Sequence, residues 1–184
     1  DGMNALHHLV QKKNLSLVTF LISLNKIPLN QTDKDNNTLL HYACRNKKIE
    51  MLKYLVELNE IDINARNKKN EILLHITCSL GHLESTQYLI SLNKIDITAK
   101  DYKNATIFHR ACQSENLELI KYLVSLDKFD INAETNDQQT PLHCAMGNLN
   151  LSIIKYLTSL PGINLTKTNN DNKTYLHIAV ECIL

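Results

Sequence analysis

Apolar side chains recur along this chain in short helical stripes that come in pairs, each pair followed by a brief alternating stretch and a polar turn. Thr106-Ile107-Phe108-His109-Arg110-Ala111-Cys112 predicts a short helix opened by Thr106, whose hydroxyl can take an otherwise orphaned backbone N–H. Thr140 precedes Pro141, the residue favoured at a first helical position because its missing donor is not needed there. Leu117, Leu119, Ile120, Leu123 and Val124 then give the apolar face of a second helix. Phe129-Asp130-Ile131-Asn132 alternates apolar and polar, so an extended segment leads into the polar turn. The pattern predicts helix, helix, extended finger.

This pattern repeats. His7, His41, His75, His109, His143 and His177 each follow the last by thirty-four residues. The same interval carries Phe20, Tyr54, Tyr88, Tyr122 and Tyr156, then Leu21, Leu55, Leu89, Leu123 and Leu157. A fourth column holds Ile27, Ile61, Ile95, Phe129 and Ile163. Four columns in one register define a repeat architecture, in which one copy cannot bury its own apolar face and must stack on its neighbours. The predicted boundaries are a partial copy at 1–32, full copies at 33–66, 67–100, 101–134 and 135–168, and a partial copy at 169–184. The chain thus reads as a single array that starts at a finger and stops after one helix of its last copy, as a piece of a longer protein would.

Composition narrows the reading. Four glycines and three prolines in 184 residues favour helices over a turn-rich sheet fold. A formal charge of +1 gives no global pull toward nucleic acid or membrane, and no apolar run approaches a membrane span. Residues 1–20 lack the basic-then-apolar order of a signal peptide. Five cysteines without paired spacing read as reduced thiols, so an intracellular protein, cytoplasmic or nuclear, is expected.

The residues also resemble a known family. Thr140-Pro141-Leu142-His143-Cys144-Ala145 and Gly81-His82-Leu83-Glu84 are similar to the signatures of ankyrin repeats, and Asp62-Ile63-Asn64-Ala65 and Asp130-Ile131-Asn132-Ala133 to the segment before the finger. The resemblance spans the chain and implies an all-α ankyrin-repeat solenoid of helix pairs with hairpin-like fingers. Departures are visible. The family's finger glycine survives as Gly2 and is replaced by Asn36, Asn70, Asn104, Gln138 and Asn172. Asn tolerates a left-handed backbone, whereas Gln138 predicts strain or a rearranged turn. The third copy has Ile72 where the capping Thr belongs and Thr77 where Ala is usual, which predicts a softer repeat.

Six periodic histidines raise the question of a metal. Equivalent groups on neighbouring helices stand roughly 8–10 Å apart, whereas zinc ligands converge at about 2 Å. The expected role is structural: each imidazole bonds the capping hydroxyl or the finger backbone. Cys44, Cys78 and Cys112 fill a small-residue position, and neither they nor Cys144 and Cys182 have a base arranged to make a nucleophile. The tyrosine column is expected half-buried with hydroxyls at the rim. No phosphate loop, zinc spacing or catalytic motif occurs, so no enzyme activity, cofactor or metal is expected.

Function is then expected at positions that vary between copies. At the finger tips these include Lys34, Asp35, Lys68, Lys69, Tyr102 and Lys103; on the first helices, Tyr42, Arg45, Ile76, Arg110 and Gln113. In the resembled family, fingers and first helices line a concave groove that grips protein partners. Arg45 and Arg110 are two of only three arginines, and Lys68, Lys69 and Lys103 would suit an acidic stretch. The expected function is a protein-interaction scaffold, monomeric, binding a protein or peptide; the alternative is a module that only positions another domain. Asp35, Glu71 and Asp137 argue against nucleic acid.

Overall fold

A computed structural model describes residues 2–181, and every structural statement below refers to those residues; Asp1 and Cys182 lie outside them. Eleven helices are found there and no strands. The first repeat holds α1 (Ala5–Gln11) and α2 (Leu15–Ser23), the second α3 (Leu39–Cys44) and α4 (Glu50–Glu57). The third holds α5 (Leu73–Ser79) and α6 (Leu83–Ser91), and the fourth α7 (Ile107–Cys112) and α8 (Leu117–Ser125). The fifth holds α9 (Pro141–Gly147) and α10 (Leu151–Thr158), and α11 (Tyr175–Glu181) begins the sixth.

Four of the first helices start by the same device. Thr106 and Thr140 accept from the N3 backbone N–H, and the N3 histidine ring accepts in return from the cap's own N–H. This is a capping box with histidine in the place usually held by Glu or Gln. Asn4 and His7 repeat it in α1, and Thr38 and His41 in α3. At Ile72 the hydroxyl is missing, yet the Ile72 N–H still reaches His75 Nδ1 at 3.3 Å. Ile72 is itself buried, and Thr77 Oγ1 accepts from Thr86 Oγ1 at 3.0 Å, so the third repeat replaces one polar tie with another between its two helices.

The chain forms two compact halves, one from Asp1–Thr77 with Glu84–Asp96 and the other from Cys78–Leu83 with Ile97–Leu184. In the first half α1 packs on α2 and α3, and α3 on α4. In the second, α9 packs between α7 and α11, while α10 meets α8 and α9. Leu6, Leu39, Leu40, Leu52 and Leu55 are fully buried in the first half, and Ile107, Phe108, Leu119, Ile120 and Leu123 in the second. Tyr54, Tyr88, Tyr122 and Tyr156 are half-buried, as the pattern predicts. In α8 the buried face is Leu119, Ile120 and Leu123; Leu117 and Val124 lie at its margin.

Left-handed residues close every finger. Asn36, Asn70, Asn104 and Asn172 have φ between 55° and 61°. Gln138 takes the same conformation at φ 54°, and its finger keeps the Thr135 N–H to Gln139 oxygen bond at 3.0 Å. The expected rearrangement does not occur: the surrounding hydrogen bonds hold the turn, and any strain falls on the Gln138 backbone. Gly2 is the one finger position where glycine is required by space as well, since a Cβ there would meet the Lys34 nitrogen at 2.7 Å.

Candidate functional site

The fingers are organised by a column absent from the periodicities above. Asp33, Asn67, Asp101, Thr135 and Asn169 follow one another at thirty-four residues. Asp33 Oδ1 accepts the N–H groups of Asp35 and Asn37, both at 2.8 Å. Asn67, Asp101 and Asn169 do the same for the residues two and four ahead, and the Thr135 hydroxyl accepts from Gln139. Each side chain thereby folds its own finger, and neighbouring fingers are stitched by backbone bonds, Lys68 N–H to Asp35 oxygen in the first half and Asn136 N–H to Lys103 oxygen in the second, both at 2.8 Å.

Nine residues after each finger-base group comes a first-helix residue, and the two match chemically. Tyr42 donates its hydroxyl to Asp33 Oδ2 at 2.6 Å. Arg110 donates Nε to Asp101 Oδ2 at 2.8 Å and pairs with it through Nη2 as well. Where the partner position is Ile76, Cys144 or Ile178, the base is uncharged Asn67, Thr135 or Asn169. A buried carboxylate is present only where a donor faces it, as the cost of an unpaired buried charge requires. Burial opposes charge on Asp33, but hydrogen bonds from Tyr42 and Asn37 outweigh it and hold its pKa down at about 2. Burial and the Asp33 carboxylate push Tyr42 up to about 12.

These contacts correct part of the expected surface. Tyr42 is buried with its hydroxyl committed to Asp33, and Ile76 is buried, so neither presents a free face from the first helix. Arg110 is half-buried; its guanidinium spans Asp101 and Gln113 Oε1 and is committed within the chain. Arg45 is exposed, 5.3 Å from the Tyr42 ring, and bonds the His41 carbonyl. At the tips of the first half's fingers, Lys34, Asp35, Lys68 and Lys69 are exposed. In the second half Tyr102 is 53% exposed with Lys103 Nζ 5.8 Å from its ring, and Gln113 is exposed beside an open cleft of about 390 Å³ that Gln139, Cys144 and Asn148 also line. The sequence signal for the missed column was present, in polar rather than apolar or histidine positions.

The histidines are structural acceptors. Because Nδ1 of His41 and His109 takes a backbone N–H, the proton resides on Nε2, which donates to the Glu71 carbonyl at 3.4 Å and the Gln139 carbonyl at 3.1 Å in the next finger. Burial lowers the pKa of both, and of His7 and His143, keeping the rings neutral. The thiols of Cys44 and Cys112 are pushed well up by burial, and that of Cys144 to about 11. No group of three or more His, Cys, Asp or Glu among the described residues could hold a metal, and no helix among them is long and apolar enough to cross a membrane.

Paired helices joined by side-chain-organised fingers, copied at a fixed interval, define a helical repeat protein. A family model described as ankyrin repeats (3 copies) matches residues 1–67, 59–135 and 108–183, and the chain belongs to the ankyrin repeat family. No curated protein matches it in the corresponding comparison. Ankyrin repeats are generally protein-interaction modules.

Proposed function

We propose that this chain is an intracellular protein-binding scaffold, an array of repeats over 1–184 without catalytic chemistry, whose finger tips engage an acidic segment of a partner protein. The carrying observation is where the variation between copies is left uncommitted. Tyr42 and Arg110 vary but are tied to finger-base carboxylates, whereas Lys68 and Lys69 in the first half, and separately Tyr102 and Lys103 in the second, vary and are exposed at their own finger tips. Tips pre-ordered by the finger-base bonds lose little freedom on binding, which favours affinity. Lysine tips with an adjacent aromatic suit carboxylates on the partner. Neutral buried imidazoles and protonated buried thiols are poorly placed to act as acids, bases or nucleophiles, which supports the non-enzymatic reading.

The test is site-directed photo-crosslinking in cell extract from residues 69 and 102, with residues 121 and 155 on second helices as controls. Capture from 69 released by Lys68→Glu with Lys69→Glu, capture from 102 released by Lys103→Glu, and no capture from the controls is the expected result. Equal capture from all four positions, or capture from 121 and 155 alone, would move the interface to the second helices.

A further inference from the structure

We infer that the second half carries a second docking site, on the loops that follow the second helices of the fourth and fifth repeats, built to take an apolar side chain flanked by a basic residue of a partner protein. It rests on different residues from the finger-tip reading and stands or falls separately.

Several positions in this region break the repeat. Phe108 stands where Leu6, Leu40, Leu74, Leu142 and Leu176 stand in the other copies, and Phe129 replaces the isoleucine of its column. Asp127 replaces Asn25, Asn59 and Asn93, and Pro161-Gly162 replaces the Asn-Lys of Asn25-Lys26 and Asn93-Lys94. Scattered along fifty-five positions, these breaks converge on one cleft of about 350 Å³, which all five residues line. The ring of half-buried Phe129 stacks on that of fully buried Phe108 at 6.2 Å between centroids and 7° between planes. Leu123, Val124, Ile131 and Leu160 complete the apolar lining.

The loop change opens one wall. Asp127 has φ 50°, like the asparagines it replaces, but the proline ring at 161 forbids that conformation, and the left-handed residue moves one place on, to Gly162 at φ 81°. A Cβ at Gly162 would meet nothing within 4 Å, so this wall carries no side chain at the position held by Lys26 and Lys94 in their own loops. The wall is nonetheless fixed: the Gly162 carbonyl accepts from Asn132 Nδ2, and Asn132 Oδ1 accepts the Asn164 N–H, both at 2.8 Å.

Charge selects the occupant. Asp127 and Asp130, both exposed, are the charged residues lining the cleft, and glycine has removed the cation from the opposite loop. An apolar side chain would enter against Phe129 while a neighbouring Arg or Lys met the two carboxylates. The corresponding loops of the first two repeats line a smaller cleft, about 260 Å³, with Lys26 and Glu60 at its edge and Ile27 in the place of Phe129. That copy therefore serves as the chain's own reference for an unspecialised loop pair.

The probe is a blocked tripeptide, arginine–phenylalanine–arginine, titrated into the 15N-labelled chain and compared with glutamate–phenylalanine–glutamate and arginine–serine–arginine. Shifts confined to the amides of residues 123–132 and 160–164, with both comparison peptides at least tenfold weaker, are expected. Asp127→Asn should weaken binding about two- to fivefold, the range for one exposed ion pair, and this loss should vanish in high salt. Pro161→Asn with Gly162→Lys restores a loop the chain already folds twice and should weaken binding at least tenfold; if it does not fold, the Asp127→Asn and salt results decide. Absence of shifts at millimolar peptide, shifts centred on the fingers, or equal binding of the glutamate peptide would overturn the proposal.

Discussion

Removing the Arg110 guanidinium leaves the Asp101 carboxylate buried without its countercharge. The Asp101 side chain has 0% exposure and that of Arg110 17%, so water can replace little of what is lost. Deleting one partner of a buried pair typically costs 3–5 kcal/mol. Asp101 keeps the Lys103 and Ala105 N–H bonds, which places Arg110→Ala at the lower end, about 3 kcal/mol. For a chain of this length that corresponds to a fall of roughly 6–12 °C in melting temperature. The chain supplies its own rescue, because Asn67 opposite Ile76 is the same finger base without charge. Asp101→Asn combined with Arg110→Ile should therefore recover to within about 1 kcal/mol of the parent, and a double-mutant cycle in urea should show strong coupling. A loss below about 1 kcal/mol for Arg110→Ala, or additive losses in the double variant, would refute the compensated-carboxylate argument. The same result decides how binding data are read, since Arg110→Ala weakens the finger whether or not Arg110 touches a partner.

The buried imidazoles predict acid sensitivity above the carboxylate range. Their folded pKa values are lowered by burial, so stability is fully present above the ordinary value of 6.5 and is lost as pH falls below it, each ring contributing up to about 1.4 kcal/mol per pH unit. Urea midpoints should fall between pH 7 and 5.5, well above the region where protonation of Asp33 matters; a flat profile there would contradict neutral native histidines. Gln138→Asn should raise stability by roughly 0.5–1 kcal/mol, because Asn bears a left-handed backbone at lower cost; an unchanged midpoint would mean the turn stores no strain. Ile72→Thr exchanges about 1.6 kcal/mol of burial for a cap worth about 1 kcal/mol, so a small net loss is expected in chemical denaturation. A clear gain would show that burial at residue 72 contributes less than its accessibility implies.

The architecture was legible because repetition multiplies a weak signal. One Thr-x-x-His is a poor helix start, but the same spacing met again at thirty-four residues, with Pro141 in place at N1, leaves few alternatives. The role of the histidines was legible for the same reason, although their use of Nδ1 at the helix cap, and the bridge that Nε2 of His41 and His109 makes to the next finger, needed coordinates. The proposed surface was less legible. Tyr42 and Ile76 vary between copies, as contact residues would, and helical spacing alone does not say which face of a six-residue helix its own finger covers. Arg110 resembled a binding anchor because arginine usually does; its partner lies nine residues earlier, a separation that belongs to no helix or strand period.

Variation between copies therefore divides by whether a second variation answers it. Asp33 with Tyr42, Asp101 with Arg110 and Thr77 with Thr86 change together and satisfy one another, so each pair can drift without altering the outer surface. Phe108 with Phe129 begins in the same way, as two enlarged side chains stacked on each other. Yet Asp127 beside them adds an exposed charge that no ion pair in the loop balances, and Gly162, while taking the left-handed turn that Pro161 gives up, leaves no side chain where Lys26 and Lys94 stand in other copies. Lys68, Lys69, Tyr102 and Lys103 share that character at the tips of the fingers. In a fold whose repeats differ little in what stability asks of them, an unanswered change on a rigid frame is the physical mark of a surface shaped by something outside the chain.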